Sequence, residues 1–155
     1  MPDARHSEER HGVAAERHGA AAAPRVLLVE DEPRLRDAIA EALGGAGLGV
    51  VAGASASPEA PLGAAQADPA APPPAVLVAD TDPAPEGGAM DAFALVQEAR
   101  RRWPGLGVVY VTGRPSRLDG QVLRGRDRFL PKPVRPPALV RTVRGLVGAQ
   151  SRRAP

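Results

Sequence analysis

At 155 residues, with 43% apolar side chains but only 3% aromatic, the chain fits a single domain whose core must be built from Val, Leu, Ile and Ala. The absence of cysteine excludes disulfides and thiolate metal sites, zinc fingers included, and no apolar run approaches a membrane span or a signal-peptide core, so a cytoplasmic protein is expected. Net charge is only +2, yet residues 1–99 hold 6 basic and 16 acidic side chains and residues 100–155 hold 14 and 2, so carboxylates and cations are segregated along the chain.

Residues 1–24 are charged and alanine-rich without a sustained apolar face, which predicts a disordered extension; His6, His11 and His18 share no helical face and read as solvated tail rather than metal ligands. Val26-Leu27-Leu28-Val29 predicts a buried strand followed by Glu30-Asp31-Glu32. Pro33 then opens a helix bearing Leu35, Ala38, Ile39, Ala42 and Leu43, with Gly44-Gly45 as its stop. Leu48 to Ala52 is a second apolar run. The segment after it, to Pro74, is so interrupted by proline that at most one short helix fits.

Ala75 to Ala79 predicts a third strand ending at Asp80, followed by an acidic, Gly/Pro-rich loop. Asp91 can cap a helix carrying Phe93, Leu95, Val96 and Ala99 up to Trp103-Pro104. Val108 to Val111 is a fourth strand ending at Thr112-Gly113; Pro115 to Arg126 has a weak helical pattern, and Arg128-Phe129-Leu130 is a short fifth strand. Leu139, Val140, Val143, Leu146 and Val147 mark a last amphipathic helix ending at Gly148, with 149–155 as a flexible tail and 25–148 as the domain. Continuous apolar strands alternating with helices argue a doubly wound α/β domain, a parallel sheet covered on both faces.

In such sheets functional groups gather at the carboxyl ends of the strands. Here those ends carry Glu30 and Asp31, Asp80, Thr112 and Lys132. Lys132 is the only lysine among 20 Lys+Arg residues; a compact ammonium, unlike the planar arginine fork, suits one oxygen in a confined pocket. Each residue alone has a plain explanation as a cap, a turn bond or an exposed charge. Together, crowded carboxylates call for a hard cation such as Mg²⁺, and a carboxylate, a hydroxyl and an ammonium around it suit phosphoryl transfer to a carboxylate nucleophile.

These motifs resemble the receiver domain of two-component response regulators. Val26 to Glu32 is similar to its first strand with the acidic pair, Val76-Leu77-Val78-Ala79-Asp80 to its phosphoacceptor strand, Val111-Thr112-Gly113 to its switch-hydroxyl segment, and Phe129-Leu130-Pro131-Lys132-Pro133 to its lysine-proline segment. The resemblance spans residues 25–147 and implies a flavodoxin-like three-layer sandwich, strand order 2-1-3-4-5, a degenerate second helix and a cis Lys132-Pro133 peptide. It implies that Asp80 accepts phosphate from a histidine kinase or phosphotransfer protein, and that Glu30, Asp31, Asp80 and the Asp82 carbonyl hold Mg²⁺ or Mn²⁺. It further implies that Lys132 meets the phosphoryl oxygens, that Thr112 swings toward them and that Phe129 is the aromatic switch.

The chain departs from the pattern at Glu30, where aspartate is usual, at Gly113, where alanine is common, and in the loop after Asp80. Asp82 and Arg114, opposite charges two residues beyond Asp80 and Thr112, read either as facing each other across the site and lengthening the phosphorylated lifetime or as two solvated side chains. A standalone receiver is expected, a phosphoacceptor rather than a turnover enzyme, acting through a downstream protein partner, by relaying or draining phosphate, or as a homodimer. Two rivals are a haloacid-dehalogenase-like phosphatase using Asp80-Thr81-Asp82 and a basic nucleic-acid-binding module built on Arg100-Arg101-Arg102, Arg124-Gly125-Arg126 and Arg152-Arg153. The first lacks the downstream acidic motif, and the second lacks a recognition helix or stacking aromatics.

Overall fold

The computed structural model describes residues 22–54, 59–82 and 91–152. In chain order it forms β1 (Arg25–Val29), α1 (Pro33–Gly45), β2 (Gly49–Gly53), α2 (Glu59–Gln66), β3 (Pro74–Asp80), α3 (Ala92–Arg102), β4 (Gly107–Thr112), a single 3₁₀ turn (Pro115–Leu118), β5 (Asp127–Pro131) and α4 (Pro136–Ser151). The five strands make one parallel sheet of order β2-β1-β3-β4-β5, as the resemblance implies.

Because successive strand residues point to opposite faces, each apolar run feeds two cores. On one face Val26, Leu28, Val76, Val78, Val109 and Val111 pack with Ile39 and Leu43 of α1 and Leu139, Val143 and Leu146 of α4. On the other, Leu27, Val29, Leu77, Ala79, Val108 and Tyr110 pack with Leu62 of α2 and Leu95, Val96 and Ala99 of α3. This double burial explains why the strands read as unbroken hydrophobic stretches rather than alternating ones.

Local chemistry sets the boundaries. Glu32 caps α1, its carboxylate accepting from the N–H of Arg34 at 3.2 Å and of Leu35 at 2.6 Å, while Pro33 takes the first turn. The helix ends at Gly45, as the glycine pair predicts, and the chain reverses at Gly47, whose φ of 86° is the left-handed conformation glycine tolerates best. Asp91 caps α3 through the Phe93 N–H at 3.1 Å, as its sequence position suggests. The second helix is short rather than missing: Pro61 sits in its first turn and Leu62 is fully buried.

Two expectations are corrected. The weak helical pattern over Pro115 to Arg126 yields only the 3₁₀ turn, because no apolar stripe recurs there and Gly120 takes a φ of 76°. The most degenerate connection is thus the one between β4 and β5, and it leaves Val122 exposed. The last helix passes through Gly148 to Ser151, since one glycine in a helix costs only about 1 kcal/mol and the packed face of α4 outweighs it. The first part of the expected C-terminal tail is therefore helical. The predicted N-terminal extension lies, up to residue 21, outside the described residues, as do His6, His11 and His18. Among the described residues no helix is long and apolar enough to cross a membrane.

Candidate phosphoryl-transfer site

Sheet register decides which side chains meet at the carboxyl edge. Asp80, the last residue of β3, pairs with Val111, and Thr112, the last of β4, pairs with Pro131. The Lys132 N–H then donates to the Thr112 carbonyl at 2.8 Å, so the ladder runs one step past the strand and fixes where the lysine stem begins. On the other side, the Glu30 N–H donates to the Gly53 carbonyl at 3.0 Å and holds that carboxylate at the end of β1, next to β3. The Lys132-Pro133 peptide is cis, in agreement with the resemblance.

The result is a polar cluster spanning four strand ends. The Lys132 ammonium reaches across β4 to lie 2.8 Å from Asp80 Oδ2 and 3.1 Å from Asp82 Oδ2. Asp82 is anchored from several directions: its N–H donates to Asp80 Oδ1 at 2.8 Å, and its carboxylate accepts from the Thr112 hydroxyl at 2.9 Å and from the Gly113 N–H at 2.9 Å. Thr112 Oγ1 in turn accepts from the Arg114 N–H at 2.9 Å. Phe129 is half-buried on β5, in register with Tyr110, whose ring lies 5.5 Å from that of Phe93.

Glu30 is almost fully buried, and burial pushes its carboxyl up to about 7. The negative charge of Asp80 beside it adds to the rise, while the N–H of Glu32, 3.1 Å away, and Lys132 pull the other way. Desolvation also opposes ionisation of Asp82, but the Gly113 N–H, the Thr112 hydroxyl and Lys132 outweigh it and hold that carboxyl below its ordinary range. Partial burial works against the charge on Lys132; Asp80, Asp82 and Glu30 overcome it and raise the ammonium's pKa.

Two carboxylates in mutual contact, one of them buried and reluctant to ionise, are the donor chemistry that a hard divalent cation would relieve. Glu30 and Asp80 supply it, and Asp31 stands half-buried at the same sheet edge. Among the described residues no group of three or more His, Asp or Glu side chains is already gathered as a metal cage. Glu30 and Asp80, in mutual contact, are the pair whose chemistry fits a divalent cation.

The expected opposition of Asp82 and Arg114 does not form. Arg114 is exposed, and Asp82 pairs with Lys132 instead, because the Thr112 and Gly113 donors turn its carboxylate into the strand-end cluster. Two features escaped the sequence reading: the Gly113 N–H as a donor, and Asp127, a buried carboxylate on β5 that accepts from the Arg100 guanidinium and from the Arg124 N–H at 2.7 Å. An isolated aspartate opening a strand beside an arginine-rich segment was the available signal for the second.

No protein-family model matches the chain, and no curated protein matches it in sequence. Solved structures do. A response regulator receiver protein from Sinorhizobium medicae WSM419 superposes with a TM-score of 0.67 at 22% identity, over 83% of this chain and 97% of that one. The BeF₃-activated receiver domain of Nitrogen Regulatory Protein C matches with a TM-score of 0.63 at 28% identity, over 84% and 98%. The receiver domain of the hybrid histidine kinase CckA matches with a TM-score of 0.61 at 25% identity, over 79% and 98%. With the sheet order and helical layers described above, the chain has the response regulator receiver fold.

Proposed function

We propose that this chain is a phosphoacceptor receiver of a two-component phosphorelay, taking a phosphoryl group from a phosphohistidine donor onto Asp80. The observation that carries the reading is the Asp80 carboxylate held 2.8 Å from the sole lysine's ammonium, with the Thr112 hydroxyl on the strand between them. A carboxylate oxygen of Asp80 attacks phosphorus in line with the departing imidazole nitrogen; the P–N bond breaks, the imidazole keeps the electron pair and takes up a proton, and an aspartyl phosphate forms. Hydrolysis later places water on phosphorus and returns the carboxylate.

Lys132 offsets charge on the transferring group, and the Thr112 hydroxyl and Gly113 N–H are donors at the next strand end. Glu30, Asp31, Asp80 and the Asp82 carbonyl are the groups that would hold Mg²⁺ or Mn²⁺, which when bound neutralises the carboxylates and the equatorial phosphoryl oxygens. Thr112 and Phe129, on neighbouring strands, would carry the change to a partner protein. A histidine kinase or phosphotransfer protein upstream follows from the same reading.

The rival readings lose support from the same geometry. A phosphatase of the Asp-x-Asp type needs its second aspartate as a proton donor, whereas the Asp82 carboxyl is held below its ordinary range. A nucleic-acid surface needs unpaired cations, whereas Arg100 is bonded to Asp127, Arg101 to Glu98, and Arg102 to Glu98 and Glu59. The test is intact-mass spectrometry after incubation with acetyl phosphate and Mg²⁺. The parent should gain one phosphoryl group and Asp80→Asn none; labelling that persists in the variant overturns the assignment.

A further inference from the structure

Asp82 makes contacts that a phosphoryl group on Asp80 would need. One of its carboxylate oxygens, Oδ1, lies 2.9 Å from the Thr112 hydroxyl; the other, Oδ2, lies 2.9 Å from the Gly113 N–H and 3.1 Å from Lys132 Nζ. Lys132 also lies 2.8 Å from Asp80 Oδ2, and Thr112 and Gly113 stand at the end of β4, the strand beside β3. Two oxygens of a carboxylate have nearly the spacing of two oxygens of a phosphoryl group, so one anion can stand in for the other. A short tether completes the arrangement, since the Asp82 N–H is bonded to Asp80 Oδ1 at 2.8 Å.

Gly113 belongs to the same device. A Cβ built at residue 113 would lie 3.3 Å from Asp82 Oδ2, closer than ordinary contact, so the missing side chain makes room for the Asp82 carboxylate. Glycine after Thr112 and aspartate two residues after Asp80 thus have one joint explanation. Thr112 supports it too: its hydroxyl has two acceptors, Asp82 Oδ1 at 2.9 Å and the Arg114 carbonyl at 3.1 Å, and its one proton goes to the nearer, charged one.

We propose that the Asp82 carboxylate is a built-in occupant of the phosphoryl seat, a positioning residue that holds Thr112 and Lys132 in place and must be displaced before Asp80 can be loaded. The proposal rests on the phosphoacceptor reading and adds its regulation. An incoming phosphoryl group and the Asp82 carboxylate cannot share three donors, and both are anions, so loading proceeds only from the fraction of molecules in which Asp82 has swung out. Where that fraction is about a tenth, the rate of loading is lowered about tenfold.

The experiment is the initial rate of Asp80 labelling by acetyl phosphate with Mg²⁺, compared across the parent, Asp82→Ala, Asp82→Asn and Gly113→Ala, with Asp80→Asn as control. Emptying the seat with alanine should speed labelling about tenfold, asparagine should fall between, and Gly113→Ala, which crowds the carboxylate while leaving it intact, should give a smaller rise. General damage to the site lowers the rate, so a gain is not what a merely structural role yields. Circular-dichroism melting checks that each variant folds, and Gly113→Ala remains an independent arm if an Asp82 variant does not. Labelling of both Asp82→Ala and Gly113→Ala at or below the parent rate overturns the inference while leaving the phosphoacceptor reading intact. Labelling that survives Asp80→Asn overturns that reading, and the inference with it.

Discussion

The buried carboxyl of Glu30 makes the stability of the metal-free protein depend on pH in a direction opposite to that of an ordinary ion-paired acid. Burial first, and then the charge of Asp80, lifts it from 4.5 to about 7. In the unfolded chain the group ionises near 4.5, whereas in the folded protein it keeps its proton until about 7. The stabilisation is therefore fully present below pH 4.5 and is lost as pH rises through 7. At about 1.4 kcal/mol per pH unit, the loss across that window is about 3 kcal/mol. Glu30→Gln keeps an oxygen for the Glu32 N–H, which Glu30 Oε1 accepts at 3.1 Å, and removes the ionisation. Urea unfolding in EDTA should find the two proteins similar at about pH 4.5 and the glutamine variant more stable by about 1–3 kcal/mol at about pH 8. Stability curves that run parallel across that range would refute the burial argument, because the titration of Glu30 is the main pH-dependent difference between the proteins. Mg²⁺ added at about pH 8 should then stabilise the parent more than the variant, since the stabilisation grows with the logarithm of ligand concentration over Kd and so is larger the tighter the ligand binds the folded state.

Asp127→Ala leaves the Arg100 guanidinium without its carboxylate partner while its side chain remains only 11% exposed, and it removes the acceptor for the Arg124 N–H. Breaking such a pair costs about 3–5 kcal/mol, to be read from the urea midpoint; a loss below about 1 kcal/mol would show that the pair is well hydrated. Gly53→Ala places a Cβ 2.9 Å from Pro61 Cγ, and the ring cannot rotate away. Overpacking of this kind costs about 1–3 kcal/mol, and in a Pro61→Ala background the penalty should fall by at least about half; an equal penalty in both backgrounds would mean that the strain lies elsewhere.

The strand ends were legible because both faces of this sheet are covered. When every residue of a strand is buried, the first polar side chain marks the carboxyl edge, and Glu30, Asp80 and Thr112 each stand at such a break. Loops lack that contrast. Pro115 to Arg126 offered a few helical spacings, but with no apolar stripe to bury, only one 3₁₀ turn formed. The Gly44-Gly45 pair does end α1, but the positive φ comes at Gly47, because a glycine pair weakens a helix without dictating where the chain must turn.

Asp82 shows most clearly what local reasoning lacks. By sequence its natural partner was Arg114, an opposite charge at the matching offset from the neighbouring strand end. Its observed partner is Lys132, which arrives from the edge strand because β3 pairs with β4 at Asp80 and Val111, and β4 with β5 at Thr112 and Pro131. Each register is fixed by the apolar faces, since a slip of one residue would turn every core side chain of that strand toward the wrong layer. The same constraint that keeps Tyr110 and Val111 on their opposite faces therefore sets how far β5 extends past β4 and where the lysine begins. Charge complementarity could name candidates for Asp82; the packing of residues far from the site chose among them.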